Sequence, residues 1–220
     1  MFPDSVALGK APSVISKYRK RKPKMAAVNR QTTGSHFPYL AFLKPAFNRN
    51  PRIFMPIKTV TELFIHEISD TYSAEKQMTR SLPKMAKAST DPQLAEAFET
   101  HLAETREQVE RLEQVAEVCG FKLKRVKCEG MAGLIEEATS MIDQTAEGPV
   151  LDAALIGSAQ KAEHYEIAGY TSLCLMAKKL GFTEAVALLT ATLEEEQGTD
   201  QKLSVLAQAS QIEEASGSNE

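Results

Sequence analysis

The chain has 220 residues, of which 43% are hydrophobic and 25% charged, and its formal net charge is −3. This length suits one bundle-sized domain rather than a two-domain enzyme, and the apolar runs are far shorter than the roughly 20 residues that cross a bilayer. Three cysteines without a C-x-x-C pair argue against a disulfide scaffold and a zinc ribbon. We therefore expect a cytoplasmic protein without a membrane segment.

Charge divides the chain into a basic extension and an acidic body. Residues 1–58 hold twelve Lys or Arg and one Asp, a net charge of +11, whereas residues 59–220 carry −14. Residues 1–54 show no hydrophobic period and contain six prolines, so we predict a mostly disordered extension. Three interpretations stay open: a segment that binds nucleic-acid phosphates, a targeting segment, or a non-native leader ahead of a start at Met55.

From Thr59 onward the hydrophobic period is helical, and no alternating run predicts a strand. Thr59 and Glu62 form a capping-box pattern at the start of the first helix. Pro83 removes a helical hydrogen bond and predicts a kink or an early end. The positions predicted to face the other helices, here called the core-facing stripe, are Phe64, Ile68, Thr71, Glu75, Met78, Leu82 and Met85.

A second helix is predicted from Asp91, an N-cap residue followed by proline, to a stop at Gly120. Its core-facing stripe is Leu94, Phe98, His101, Thr105, Gln108, Leu112 and Val115. Residues 131–145 predict a shorter amphipathic helix, which we interpret as a crossover because a Gly-Pro break at Gly148 separates it from the next long helix.

A third long helix is predicted from about Val150 to Leu180, ended by Gly181, and a fourth from Thr183. Their core-facing stripes are Ile156, Ala159, Glu163, Glu166, Tyr170 and Leu173 on the third, and Val186, Leu189, Leu193, Glu196, Asp200 and Leu203 on the fourth. Residues 55–209 therefore predict an all-α four-helix bundle with an additional short crossover helix, followed by a disordered tail over 210–220.

Acidic residues interrupt the apolar stripes near the middle of every long helix. They are Glu75, Glu104, Glu163, Glu166, Glu196 and Asp200. A buried carboxylate costs several kcal/mol unless it is paired or binds a metal, so acids at this level on all four helices predict a metal centre. Oxygen-rich ligands favour iron or manganese over zinc. The alternative is that some of these acids, above all Glu104 and Asp200, lie on solvated helix flanks.

Five segments carry a resemblance to a known family over about Met55 to Ala207. They read TVTELFIHEISDTYSAEKQ, HLAETREQVERLE, GLIEEA, AQKAEHYEIAGY and TLEEEQGTDQKL. These segments resemble the YciF-type family of bacterial stress-response proteins, a ferritin-like family described as a domain of unknown function. The resemblance implies a ferritin-like bundle that forms a homodimer, and a start at Met55.

Carried over to this sequence, the ferritin-like pattern places one glutamate of the first helix at Glu75 and a pair on the third helix at Glu163 and Glu166. Such bundles use E-x-x-H on each of the other two helices. Histidine is missing from both expected positions, which Glu107 and Thr199 occupy. The departure places tight metal binding and ordinary oxidase chemistry in doubt, and we expect the nearby histidine of the second helix to supply the imidazole.

Two functions stay open from the sequence. The first is a stress-response metalloprotein with a dinuclear iron or manganese site that reacts with peroxide or oxygen; its predicted ligands are Glu75, His101, Glu104, Glu163, Glu166 and Glu196. The second is a non-catalytic stress protein acting as a structural or partner-binding bundle, or as a DNA-protecting one if the basic extension is native. Tyr72 and Tyr170 could bond the carboxylates of the proposed centre or carry redox chemistry, but aromatic residues on a bundle stripe usually pack, so we interpret them as packing residues. His164 is interpreted as a hydrogen-bond donor between helices.

Overall fold

The computed structural model describes residues 56–209, and every regular element in this range is an α-helix. The helices are α1 (Val60–Ala88), α2 (Pro92–Val118), α3 (Glu129–Gln144), α4 (Pro149–Leu180) and α5 (Thr183–Ala209). The predicted extension over 1–54 and the predicted tail over 210–220 lie outside the described residues. Among the described helices, none is both long enough and apolar enough to span a membrane.

The ends of the helices follow from local sequence. Thr59 accepts a hydrogen bond from the N–H of Glu62 at 3.1 Å, and the Glu62 carboxylate accepts one from the N–H of Thr59 at 3.2 Å, which completes the predicted capping box. At the end of α4, Gly181 adopts a φ of 76°, a left-handed conformation that glycine tolerates best.

Helix α1 continues through Pro83 to Ala88, so the predicted early end is wrong. A proline inside a helix costs about 3 kcal/mol through its missing N–H and its ring. Leu82 and Met85, on either side of Pro83, are buried in the core. Tertiary packing of this last stretch therefore outweighs the local preference to stop.

Four helices form a ring in which α1 contacts α2 and α4, and α5 contacts the same two helices. Short connections make α1 and α2 antiparallel, and likewise α4 and α5. The end of α1 meets the start of α4, where the N–H of Thr90 donates to Asp152 at 2.8 Å. Helix α3 packs outside the ring on α1 and α4, as expected of the predicted crossover helix.

The core consists of two apolar clusters separated by polar residues. One cluster surrounds Leu82, Phe98 and Leu155, and the other surrounds Phe64 and Leu173. Between them lie buried polar side chains, here called the polar layer: Glu75, His101, Thr105, Gln108, Glu163, Glu166, Thr192, Glu196 and Thr199. The polar layer is the place where the bundle departs from an ordinary hydrophobic core.

Candidate metal centre

Five of the six predicted metal ligands are buried in the polar layer. Glu75 on α1, His101 on α2, Glu163 and Glu166 on α4 and Glu196 on α5 are each at most 2% exposed. All four helices of the ring therefore contribute a chemically reactive side chain at one level of the bundle. Each comes from the core-facing stripe that the helical period predicts.

Four of these side chains converge on one point. His101, Glu163, Glu166 and Glu196 each place a possible ligand atom within 4.8 Å of the others. The Nε2 atom of His101 lies 3.1 Å from Oε1 of Glu163 and 4.0 Å from Oε2 of Glu196. This group, here called the His/Glu cluster, combines one imidazole with three carboxylates.

The His/Glu cluster is short of hydrogen-bond donors. Both oxygens of Glu163, both oxygens of Glu196, Oε1 of Glu166 and Nε2 of His101 make no hydrogen bond within the described part of the chain. Buried polar atoms in native proteins nearly always have a partner, because each unpartnered one costs about 1–3 kcal/mol. So many converging acceptors fit a bound cation, and the donor set suits iron or manganese.

Burial and mutual repulsion alter the acid–base properties of the cluster. Burial raises the pKa of Glu75 to about 7, despite the hydrogen bond from Tyr170. Burial also raises the pKa of Glu166 and of Glu196 well above the usual range, and neighbouring carboxylates add to the effect. Burial disfavours the charged form of His101, but the surrounding carboxylates of Glu163, Glu104 and Glu196 together outweigh it and raise the histidine pKa. Protons and a metal cation are thus alternative ways to offset the buried negative charge.

Glu104, the sixth predicted ligand, lies outside the His/Glu cluster. Its Oε2 atom is 3.7 Å from Nδ1 of His101, and its Oε1 atom is 3.5 Å from Nζ of Lys202. The side chain is 29% exposed, and the contact with His101 lowers its pKa. In this geometry Glu104 faces the Nδ1 side of the imidazole, and the structure does not bring it to the point where the other carboxylates meet.

On α5 the core-facing stripe is shifted by one residue at every second position. Ala185, Thr192 and Thr199 are buried, whereas the predicted Val186, Leu193 and Asp200 are only partly buried. Val186 and Leu193 still pack at the margin of the apolar cluster around Phe64 and Leu173, so the predicted stripe lies one residue from the centre of the buried face. Glu196, on which both versions of the stripe agree, is fully buried.

Asp200 and His164 pair with each other at the edge of the bundle. The distance between Nε2 of His164 and Oδ1 of Asp200 is 3.3 Å, and it joins α4 to α5. His164 is 70% exposed, in agreement with its interpretation as an inter-helix donor rather than a ligand. Asp200 also accepts a hydrogen bond from Gln160 at 3.2 Å. The solvated-flank alternative therefore describes Asp200 correctly.

Tyr170 bonds a carboxylate of the polar layer, which was the alternative to the packing interpretation. The side chain is fully buried, and its hydroxyl donates to Oε1 of Glu75 at 2.5 Å. The hydroxyl of Tyr72 donates instead to Glu113 at 2.6 Å, away from the cluster. The spacing of Tyr170 one turn after Glu166 was the available signal, because i and i+4 side chains share a face.

Further polar residues that the predicted ligand set did not include support the polar layer. Thr199 donates to Glu104 at 3.3 Å and lies 3.5 Å from Nδ1 of His101. Arg111 binds both oxygens of Glu195, with a distance of 2.8 Å in each contact, and Gln108 donates to the same carboxylate at 3.0 Å. These contacts tie α2 to α5 at the level of the His/Glu cluster.

Comparison with known proteins finds one family model that matches residues 59–216, described as Domain of unknown function (DUF892). Protein YciF of Escherichia coli (strain K12) is 53% identical over 154 residues, which cover 70% of this chain and 93% of that protein. The crystal structure of the E. coli stress protein YciF superposes with a TM-score of 0.70 at 51% identity, covering 72% of this chain and all of that one. YcfI of Rhodopseudomonas palustris gives a TM-score of 0.66 at 40% identity, covering 72% and 97% of the two chains.

Proposed function

The chain belongs to the family described as Domain of unknown function (DUF892), and we propose that it is a stress-response metalloprotein with a dinuclear iron or manganese site in the polar layer. The relation to YciF, which is described as a stress protein, supports the stress-response part. The single observation that carries the metal part is the convergence of unpartnered carboxylate oxygens from α4 and α5 on His101.

Charge balance supports two metal ions rather than one. Glu75, Glu163, Glu166 and Glu196 would together carry four negative charges in a buried layer if all were ionised. A single divalent ion would leave two buried negative charges that protons would have to neutralise, because an uncompensated buried charge costs several kcal/mol. Two divalent ions with a neutral imidazole give a balanced site, as in other carboxylate-bridged four-helix bundles.

The chain's own residues have distinct roles in this proposal. Glu163, Glu166, Glu196 and His101 would hold the metal, while Tyr170 fixes the orientation of the Glu75 carboxylate. The apolar clusters above and below the polar layer keep bulk water away, which strengthens electrostatic interactions within it. When bound, iron or manganese would supply electrons for reaction with peroxide or oxygen.

Two neighbouring glutamates on α5 provide a matched test. Glu196 lies in the His/Glu cluster, whereas Glu194 is exposed two residues earlier. Untagged protein from cells grown with iron and manganese is analysed for bound metal, as are the Glu196→Gln and Glu194→Gln variants. We expect about two metal ions per parent chain, a large loss in Glu196→Gln and no loss in Glu194→Gln. Equal metal content in both variants, or none in the parent, would refute the proposal.

A second candidate function is a non-catalytic structural or partner-binding bundle. The observation that favours it is the replacement of both expected histidines, by the exposed Glu107 and by Thr199, which bonds Glu104 instead. YcfI is also provisionally described as a structural protein. Peroxide consumption separates the candidates: we expect faster consumption by protein loaded with iron or manganese than by chelated protein, and equal rates would favour the structural role.

The assembly and location of the protein belong to the same proposal. We expect a homodimer in the cytoplasm, in line with the resemblance to the ferritin-like stress proteins. Light scattering coupled to size-exclusion chromatography checks the expected mass, which is twice the 24.2 kDa of one chain. Binding to nucleic acid would require the basic extension over residues 1–54 to be native and functional.

A further inference from the structure

A concave pocket on the outside of the bundle is lined by five cations. It has a volume of about 460 Å³ and lies between α1 and the linker over residues 119–128. The lining also includes Ser69, Ser73 and Tyr72. We call it the basic pocket, and its cations are Lys76 and Arg80 on α1 and Lys124, Arg125 and Lys127 on the linker.

The charge of the basic pocket is opposite to that of the surrounding bundle. Residues 56–209 contain 25 acidic and 15 basic side chains, so a third of the bases line this one pocket. Lys127 pairs with Glu129 at 2.7 Å. The other four cations have no carboxylate within 4.0 Å among the described residues, although acidic side chains outnumber basic ones over residues 56–209. Grouped like charges repel each other unless an anion lies between them.

The linker holds its cations on a backbone that is fastened to α1. The N–H of Lys124 donates to the Ser69 hydroxyl at 3.0 Å, and the N–H of Cys128 donates to the Ser73 hydroxyl at 3.0 Å. Gln77 donates to the carbonyl oxygen of Cys128, also at 3.0 Å. These three contacts fix the linker at both ends of the basic stretch. The cations are therefore presented by an ordered segment, which lowers the entropic cost of binding an anion.

On the α1 side, Lys76 is held in place by an aromatic ring. Its ammonium group lies 5.0 Å from the centre of the Tyr72 ring and donates to the Tyr72 hydroxyl at 3.2 Å. Neither contact neutralises the charge. Arg80 follows one turn later on the same face of α1, so both side chains point toward the linker cations.

We infer that the basic pocket binds a small phosphate polyanion, of the size and charge of pyrophosphate or a nucleoside di- or triphosphate. Lys and Arg are the side chains that bind phosphate oxygens most strongly, and four cations without a carboxylate partner among residues 56–209 match a ligand with several negative charges. The volume falls in the range of about 300–1,000 Å³ that is typical of small-molecule sites. Duplex DNA instead contacts cations spread along an extended surface, whereas these converge on one concavity.

The test compares two pairs of cations in the full-length protein. Lys124→Gln/Arg125→Gln removes two charges from the basic pocket, and Lys178→Gln/Lys179→Gln removes two exposed charges at the end of α4. Isothermal titration calorimetry measures the binding of pyrophosphate, ATP and inorganic phosphate to the parent and both variants. Circular dichroism checks that each variant keeps the helix content of the parent. The basic extension is the same in all three proteins, so its contribution cancels in the comparison.

We expect one saturable site per chain for pyrophosphate or ATP, with weaker binding of inorganic phosphate. The pocket variant should bind at least about tenfold more weakly, as expected for the loss of one charge-assisted hydrogen bond or more, and the α4 variant should bind like the parent. Equal weakening in both variants, or no saturable binding by the parent, would overturn the inference. So would duplex DNA binding that depends on Lys124 and Arg125 when neither pyrophosphate nor ATP binds.

Discussion

The raised pKa of Glu75 predicts that the metal-free protein loses stability as the pH rises. The pKa is about 7 in the folded protein against an ordinary value of 4.5, because burial disfavours the charged form. Between these values the folded protein binds more protons than the unfolded chain, so the free energy of unfolding falls with increasing pH. The contribution of protonated Glu75 to stability is complete below pH 4.5 and is lost as the pH rises through 7. This is the opposite of ordinary acid denaturation, in which stability falls as the pH falls.

The magnitude follows from the same values. A tenfold change in a protonation equilibrium corresponds to about 1.4 kcal/mol, so ionising Glu75 in the folded protein costs about 3 kcal/mol. His101 acts in the same direction, because its raised pKa also makes the folded protein hold a proton that the unfolded chain releases. For a domain with a total stability of roughly 5–15 kcal/mol, the effect is large enough to measure.

The assay is urea unfolding of chelator-treated protein at pH 5, 6, 7 and 8, followed by circular dichroism. We expect the free energy of unfolding to decrease by about 3 kcal/mol or more over this range. Glu75→Gln should make the pH dependence shallower without abolishing it, because its amide oxygen still accepts the Tyr170 hydrogen bond without carrying charge, while the raised pKa of His101 remains. Glu136→Gln, an exposed position on α3, should leave the slope unchanged. A parent protein that becomes more stable from pH 5 to pH 8 would refute the reasoning.

Three further predictions test other parts of the structure. Glu163→Gln should lower metal occupancy while leaving the chelated protein at least as stable, because it removes buried repulsion, and elemental analysis against Glu136→Gln checks this. Tyr170→Phe leaves Glu75 without its donor, so the free energy of unfolding of the chelated protein should fall by about 1 kcal/mol in urea unfolding. The pH at which stability is lost should also rise, because the hydrogen bond from Tyr170 lowers the Glu75 pKa. A chain started at Met55 should keep its melting temperature within error if the extension is an unordered leader; a large drop would contradict that. If instead the extension binds DNA, only the full-length chain should retard duplex DNA, with a steep salt dependence.

The helical period predicted most of the fold because it records which positions are buried. On α2 all seven residues of the predicted stripe are buried, including the polar His101, Thr105 and Gln108. The period could not predict which polar atoms meet, because contacts between helices depend on their relative rotation and height. The Tyr170 contact with Glu75 and the Arg111 contact with Glu195 are of this kind, since each joins residues more than 80 positions apart.

The sequence also located the linker without revealing its role. The predicted stop at Gly120 and the predicted start of the next helix at residue 131 left the segment between them without an assigned role. Only the structure shows that Ser69 and Ser73 bind the backbone of residues 124–128 to α1, and that a concave pocket forms between this linker and the helix. Serine at these positions gave no signal in the sequence, because a side-chain hydroxyl on a helix usually bonds to its own backbone or to water.

Three consecutive glutamates on α5 show why position, and not residue type, determines the candidate site. Each step along a helix rotates a side chain by about 100°, so neighbours in sequence face different surroundings. Glu194 is exposed to solvent, Glu195 binds Arg111, and Glu196 is fully buried as a member of the His/Glu cluster. A glutamate carboxylate is therefore solvated at position 194, paired with a cation at position 195 and without a hydrogen-bond donor at position 196. Only the third needs a metal ion or a proton to remain buried, which is why the comparison of Glu196→Gln with Glu194→Gln tests the site rather than the acidity of the chain.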